Sequence, residues 1–131
     1  MFERYIFTEG SCRNIWQQDQ KIGFELQTLI SYYRGIPLSM VYSVEVTVDD
    51  VAVPKETIRV SLDGQTWFTL LEMETVTTYK WEYGEPLIIQ VLMEGGLKAG
   101  EHRVGLALSV WPSYYPMPAG GEVTRTVYIS G

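Results

Sequence analysis

The chain has 131 residues, with sixteen Asp and Glu against ten Lys and Arg and a formal net charge of −6. Hydrophobic residues make up 46% and charged residues 20%, a balance that fits a single folded domain over residues 1–131 and excludes disorder. An acidic chain whose Lys and Arg residues all stand singly is not built for nucleic acid or anionic membrane, which demand clustered cations.

Tyr5 and Phe7 suggest an opening strand, and Glu3 and Glu9 place acids in and beside its apolar stretch. A signal peptide would need a basic start and a long apolar centre, and no apolar run approaches the ~20 residues of a membrane span. The expected location is the cytoplasm. Cys12 is the only cysteine, which rules out an intrachain disulfide and a cysteine zinc site. Ile22, Phe24, Leu26 and Ile30 then share one face of a strand, against Glu25, Gln27 and Ser31.

At residues 31–41 the alternation stops. Tyr32, Tyr33 and Arg34 lead into Gly35, Ile36, Pro37, Leu38, Ser39, Met40 and Val41. Proline cannot donate to a sheet ladder and glycine tolerates positive φ, so the segment is expected to leave the sheet as an ordered loop. An apolar loop of this kind needs a cover, from its own domain or from a partner.

Alternation resumes at Val44, Val46 and Val48, and again at Ile58, Val60 and Leu62. Asp49-Asp50 and Asp63-Gly64 predict hairpin-type turns, and residues 54–57 predict at most one turn of helix. Further strands follow at Leu87, Ile89, Val91 and Met93, then at Val104, Leu106, Leu108 and Val110, and last at Val123, Val127 and Ile129. Residues 95–100 read as a loop and 112–121 as a long Pro/Gly connection. Seven to nine short strands with regular breaks predict an all-β fold, an antiparallel β-sandwich of jelly-roll-like kind.

Catalytic equipment is sparse. His102 is the only histidine, and Glu101-His102-Arg103 sits where a strand begins, so a structural role is favoured over a catalytic one. Carboxylates at Asp49-Asp50 or at Glu72 and Glu74 lack the spacing of a hard-metal loop, and adjacent acids in turns are usually just solvated. No serine sits in a nucleophile elbow, Glu82 and Glu85 cannot be placed across a cleft, and Gly95-Gly96 lacks the Lys-Ser/Thr of a phosphate loop. The chain does carry three aromatic clusters: Tyr32-Tyr33; Tyr79, Trp81 and Tyr83; and Trp111, Tyr114 and Tyr115. Such residues suit protein interfaces and also stack on sugars. Core positions at strand ends are an equal reading for Trp81 and Trp111.

Tyr-Tyr-Arg-Gly-Ile-Pro-Leu-Ser-Met-Val at 32–41, followed by Val-Glu-Val-Thr-Val-Asp at 44–49, resembles the small β subunit of bacterial C-glycoside deglycosidases. Glu-Met-Glu-Thr at 72–75, Trp-Glu-Tyr-Gly-Glu-Pro at 81–86 and Gly-Gly-Leu-Lys-Ala-Gly-Glu-His-Arg-Val at 95–104 are similar too. The likeness runs from about residue 2 to residue 118, while 111–116 matches only loosely and Asp49-Asp50 stands where relatives often have Asp-Gly.

The resemblance implies a β-sandwich that joins a larger, TIM-barrel α subunit in a hetero-oligomer. It implies no cofactor in this chain and a divalent metal, commonly manganese, in that partner. The complex would cleave the carbon–carbon bond between sugar and aglycone in 3-oxo-C-glycosides such as oxidised flavonoid C-glucosides. The ketone acidifies the neighbouring C2 proton, so that elimination can expel the aglycone carbon. On this reading no catalytic or metal residue lies here. Tyr32, Tyr33, Arg34, Gly35, Ile36, Pro37, Leu38 and Met40 are the expected partner contacts, with Trp81, Trp111, Tyr114 and Tyr115 the aromatics on the substrate side. The alternatives are a free-standing carbohydrate-binding sandwich stacking sugar on Trp81, Trp111 and Tyr114, or an independent enzyme centred on His102 and Glu101.

Overall fold

Period-2 alternation turns into strands wherever it was strong. In the computed structural model, which describes residues 7, 11–29, 36–37, 41–73, 80–81, 86–110 and 119–129, the strands run as follows. They are β1 (Arg13–Gln17), β2 (Gln20–Leu29), β3 (Ile36–Pro37), β4 (Val41–Val48), β5 (Val51–Ala52) and β6 (Ile58–Ser61). Then come β7 (Phe68–Thr69), β8 (Lys80–Trp81), β9 (Pro86–Leu92), β10 (Gly100–Val110) and β11 (Ala119–Ile129). For residues 36–37, 41–43, 80–81, 109–110 and 119–121 only the backbone is described.

Two larger sheets form, in the orders β1-β2-β9-β6-β7 and β11-β10-β4-β5, and every pairing is antiparallel. Neighbours such as β2 and β9, or β10 and β4, are distant in sequence, so the chain crosses repeatedly between the sheets. Phe24, Leu26, Ile58, Val60, Leu87, Ile89 and Val91 from the first sheet pack in one core with Val44, Val46, Val104, Leu106 and Leu108 from the second. Each such side chain contributes roughly 1.5–3 kcal/mol on burial, which makes this contact the main stabilising term. The expected all-β sandwich is what the chain forms.

The turns explain where alternation breaks. Gln18 and Asp19 (φ 50° and 64°) join β1 to β2, and Asp49 and Asp50 (φ 50° and 69°) join β4 to β5. Both are two-residue turns with two left-handed residues, the twist that matches hairpin strands, built here without glycine. The Asp63-Gly64 reversal is wider than a hairpin turn. Asp63 Oδ1 accepts hydrogen bonds from the Gln65 and Thr66 amides at 2.8 and 2.9 Å and from Ser61 Oγ at 3.1 Å, so a carboxylate organises the loop between β6 and β7. Gly64 takes the expected positive φ of 78°.

Residues 55–57 form a single 3₁₀ turn, in keeping with the one turn of helix expected there. A second turn of helix, Leu70–Met73, was not foreseen. The Pro/Gly connection expected over 112–121 ends earlier than that, since Ala119, Gly120 and Gly121 already pair with Val110, Ser109 and Leu108. Gly23 is obligatory for a steric reason: a Cβ there would lie 2.0 Å from the Val91 carbonyl oxygen. It follows a bulge, one extra β2 residue opposite Ile15 and Trp16.

Candidate functional site

β10 carries the histidine, and the fold uses both of its ring nitrogens. His102 Nδ1 lies 2.9 Å from Asp49 Oδ2, and Nε2 lies 2.7 Å from the Lys98 carbonyl oxygen. Both partners are acceptors, so a ring protonated at both nitrogens donates to both. The Arg103 amide donates to Asp49 Oδ1 at 2.9 Å, the Asp49 amide donates to the Arg103 carbonyl at 2.7 Å, and Arg103 Nη1 reaches Asp50 Oδ2 at 3.1 Å. The Asp49 hydrogen bond, then the Lys98 carbonyl, raise the His102 pKa above its usual value. The same His102 contact, then the Arg103 amide, hold the Asp49 carboxyl below its own. The cluster is a clasp between the β4–β5 turn and the β9–β10 loop.

Glu72 is likewise occupied. Glu72 Oε1 accepts the Thr69 amide at 2.9 Å while Thr69 Oγ1 accepts the Glu72 amide at 3.1 Å, a capping box on the helix Leu70–Met73. Glu74, Glu82 and Glu85 lie outside the described residues. Burial, then the nearby charge of Glu25, push the Cys12 thiol up to about 12, which leaves it protonated and inert. Among the described residues no three His, Cys, Asp or Glu side chains converge as a metal site would require.

Within residues 31–41, expected to leave the sheet as a loop, the structure describes Ile36, Pro37 and Val41, and all three are in strands: Val41 opens β4 and pairs with Val110. Ile36 and Pro37 pair with Trp81 and Lys80 in a separate two-stranded sheet. The backbone therefore brings the expected docking segment alongside one of the expected substrate-side aromatics. Tyr32, Tyr33, Arg34, Gly35, Leu38 and Met40 lie outside the described residues, as do Trp111, Tyr114 and Tyr115.

Sequence reasoning passed over two residues of β1. Asn14 donates from Nδ2 to the Leu97 carbonyl at 2.9 Å and accepts the Leu97 amide at 2.7 Å, tying the first strand to the β9–β10 loop. Trp16 is 53% exposed, with the Lys21 ammonium 5.3 Å from its ring centroid. The available signal was Ile15-Trp16 before a polar turn, which is weak without a glycine in the turn.

A family model described as C-glycoside deglycosidase beta subunit matches residues 2–114. The chain belongs to that family. The matched span holds the paired segments at 36–37 and 80–81, the His102 clasp and both hairpin turns, while β11 lies beyond it. A C-glycoside deglycosidase beta subunit from Eubacterium cellulosolvens is 29% identical over 115 residues, covering 87% of this chain and 78% of that protein. A beta-subunit family implies a second subunit in the working complex. No described helix is long and apolar enough to cross a membrane.

Proposed function

We propose that this chain is the non-catalytic small subunit of a cytoplasmic, heteromeric carbon–carbon lyase that removes the sugar from 3-oxo-C-glycosides, flavonoid C-glucosides among them. The family match over residues 2–114 carries the reading. The commitment of both His102 nitrogens to structural acceptors supports the non-catalytic part, because a general base needs a nitrogen free for substrate. Acid–base residues and the divalent metal, commonly manganese in the family resembled, belong to a TIM-barrel α subunit. This chain stabilises that subunit and gates its mouth.

The segment from Tyr32 to Met40 is the docking loop, with Arg34 meeting carboxylates or carbonyls of the partner. Its pairing of Ile36 with Trp81 supports a role near substrate for Trp81, with Trp111, Tyr114 and Tyr115 as further aromatics on that side.

Co-expression with the α subunit followed by native mass spectrometry tests the proposal. A defined hetero-oligomer is expected, and the α subunit alone should lose most of its activity on a 3-oxo-C-glycoside. A chain that stays monomeric beside a fully active α subunit would refute the subunit role.

A further inference from the structure

The ring of His102 lies between two acceptors, the Asp49 carboxylate at 2.9 Å from Nδ1 and the Lys98 carbonyl at 2.7 Å from Nε2. An imidazolium donates at both positions. A neutral imidazole keeps one N–H and turns a lone pair to the other acceptor. Lone pairs facing each other at hydrogen-bond distance repel, so loss of the proton breaks one of the two contacts. For this ring a change of protonation is also a change of structure.

The two contacts are unequal. A carboxylate is the stronger acceptor, and Asp49 is also fixed without the ring. Its Oδ1 accepts the Arg103 amide at 2.9 Å, and its own amide donates to the Arg103 carbonyl at 2.7 Å. For the Lys98 carbonyl, the ring is the hydrogen-bond partner among the described residues. Lys98 and Ala99 are both exposed. Before them Leu97 is buried and bonded to Asn14 through its amide and its carbonyl, and after them Gly100 pairs with Ile129. Gly100, at φ 123°, supplies a joint that few other residues could. The last proton therefore belongs on Nδ1, and the Lys98 end is the one that gives way.

The charged groups around the ring are Asp49 and Asp50 on the β4–β5 turn, Lys98 on the β9–β10 loop, and Glu101 and Arg103 on its own strand. Arg103 is paired with Asp50 at 3.1 Å. On β11 the residue opposite the ring is Val127, and Arg125 on the same face donates to the Phe7 carbonyl at 2.7 Å. The hydrogen bond to Asp49, then that to the Lys98 carbonyl, hold the ring's pKa above its ordinary 6.5, so the proton leaves on the alkaline side of that value.

We infer that His102 is a proton-operated latch on the β9–β10 loop: the protonated ring clamps the Lys98–Ala99 peptide toward the β4–β5 turn, and the neutral ring stays on Asp49 and releases it. Both halves of the device lie within this chain, four residues apart, so it stands apart from the subunit reading.

His102 is the only histidine, so nitrogen-15 NMR of the full chain follows its ring without ambiguity from about pH 5 to about 9. Both ring nitrogens should carry protons at the acid end, and above the midpoint the proton should remain on Nδ1. The amide signals of Lys98, Ala99 and Gly100 should move with the same midpoint. The order parameters of Lys98 and Ala99 should fall from about 0.85 to below about 0.6, while Leu97, held by Asn14, keeps its value. Asp49→Asn should move the ring midpoint to lower pH, and His102→Gln should leave the signals of residues 98–100 indifferent to pH. Circular-dichroism melting first shows that each variant folds, and the wild-type titration needs neither of them. A neutral ring protonated on Nε2 would keep the Lys98 contact and overturns the latch. Signals at residues 98–100 that stay in place while the ring titrates, or a midpoint that Asp49→Asn leaves unmoved, overturn it equally.

Discussion

His102 and Asp49 stand 53 residues apart and meet only because β4 and β10 are neighbours with Val48 opposite Val104. Their titration has a definite sign. The His102 pKa is raised in the folded chain, so its contribution is complete below the unfolded value of about 6.5 and is lost as pH rises through the folded value. Asp49 is lowered, so its contribution is complete above about 3.9 and is lost as pH falls through its folded value. The groups facing the ring are Asp49 from the β4–β5 turn and the Lys98 carbonyl from the β9–β10 loop, with Glu101 and Arg103 as chain neighbours. Denaturant unfolding of wild type and His102→Gln at a series of pH values should therefore show the largest difference between about pH 4 and 6.5, narrowing above. A difference that grows with alkalinity would contradict the clasp. At this scale the sequence showed a histidine at a strand start but not its partners, since distance along the chain says nothing about which turn folds back onto it.

At the scale of the element, one side chain ties β1 to the β9–β10 loop. Asn14 satisfies both the amide and the carbonyl of Leu97, whose own side chain is buried in the core. Asn14→Ala would strand both backbone groups, and a loss of about 1–3 kcal/mol is expected from unmet buried polar groups. Hydrogen exchange at Leu97 should accelerate in that variant while the amides of β10 keep their protection; uniform acceleration would mean that the loop and the sandwich open together. β2, β4, β6, β9, β10 and β11 were legible because one face of each is buried and the other is not, which writes period 2 into the residues. β1, β5 and β7 were not, being short edge strands with little burial to impose a pattern. The β3–β8 pair was hidden for a different reason: two residues on each side are too few to alternate.

For the whole molecule, one core spans both sheets, so its loss should be felt everywhere. Phe24 is fully buried in it. Phe24→Ala is expected to cost about 3–5 kcal/mol, a large part of the 5–15 kcal/mol that holds a typical domain. Thermal unfolding of this variant should stay a single transition at lower temperature, and two transitions would show that the sheets melt separately. Assembly acts at the same scale, because a partner that binds only the folded chain raises its unfolding temperature by mass action.

The residues by themselves determined the fold class, through alternation that survives because half of each strand must be buried, and they determined the family, through motifs strung along nearly the whole chain. They also showed that a lone histidine in an acidic, single-cysteine chain lacks obvious catalytic company. Only the tertiary structure decided that both nitrogens of His102 are taken and that Ile36 pairs with Trp81 in a small separate sheet. Those outcomes depend on which strands become neighbours. That choice is made by packing two sheets over a common core, a property of the whole chain that no local run of residues encodes.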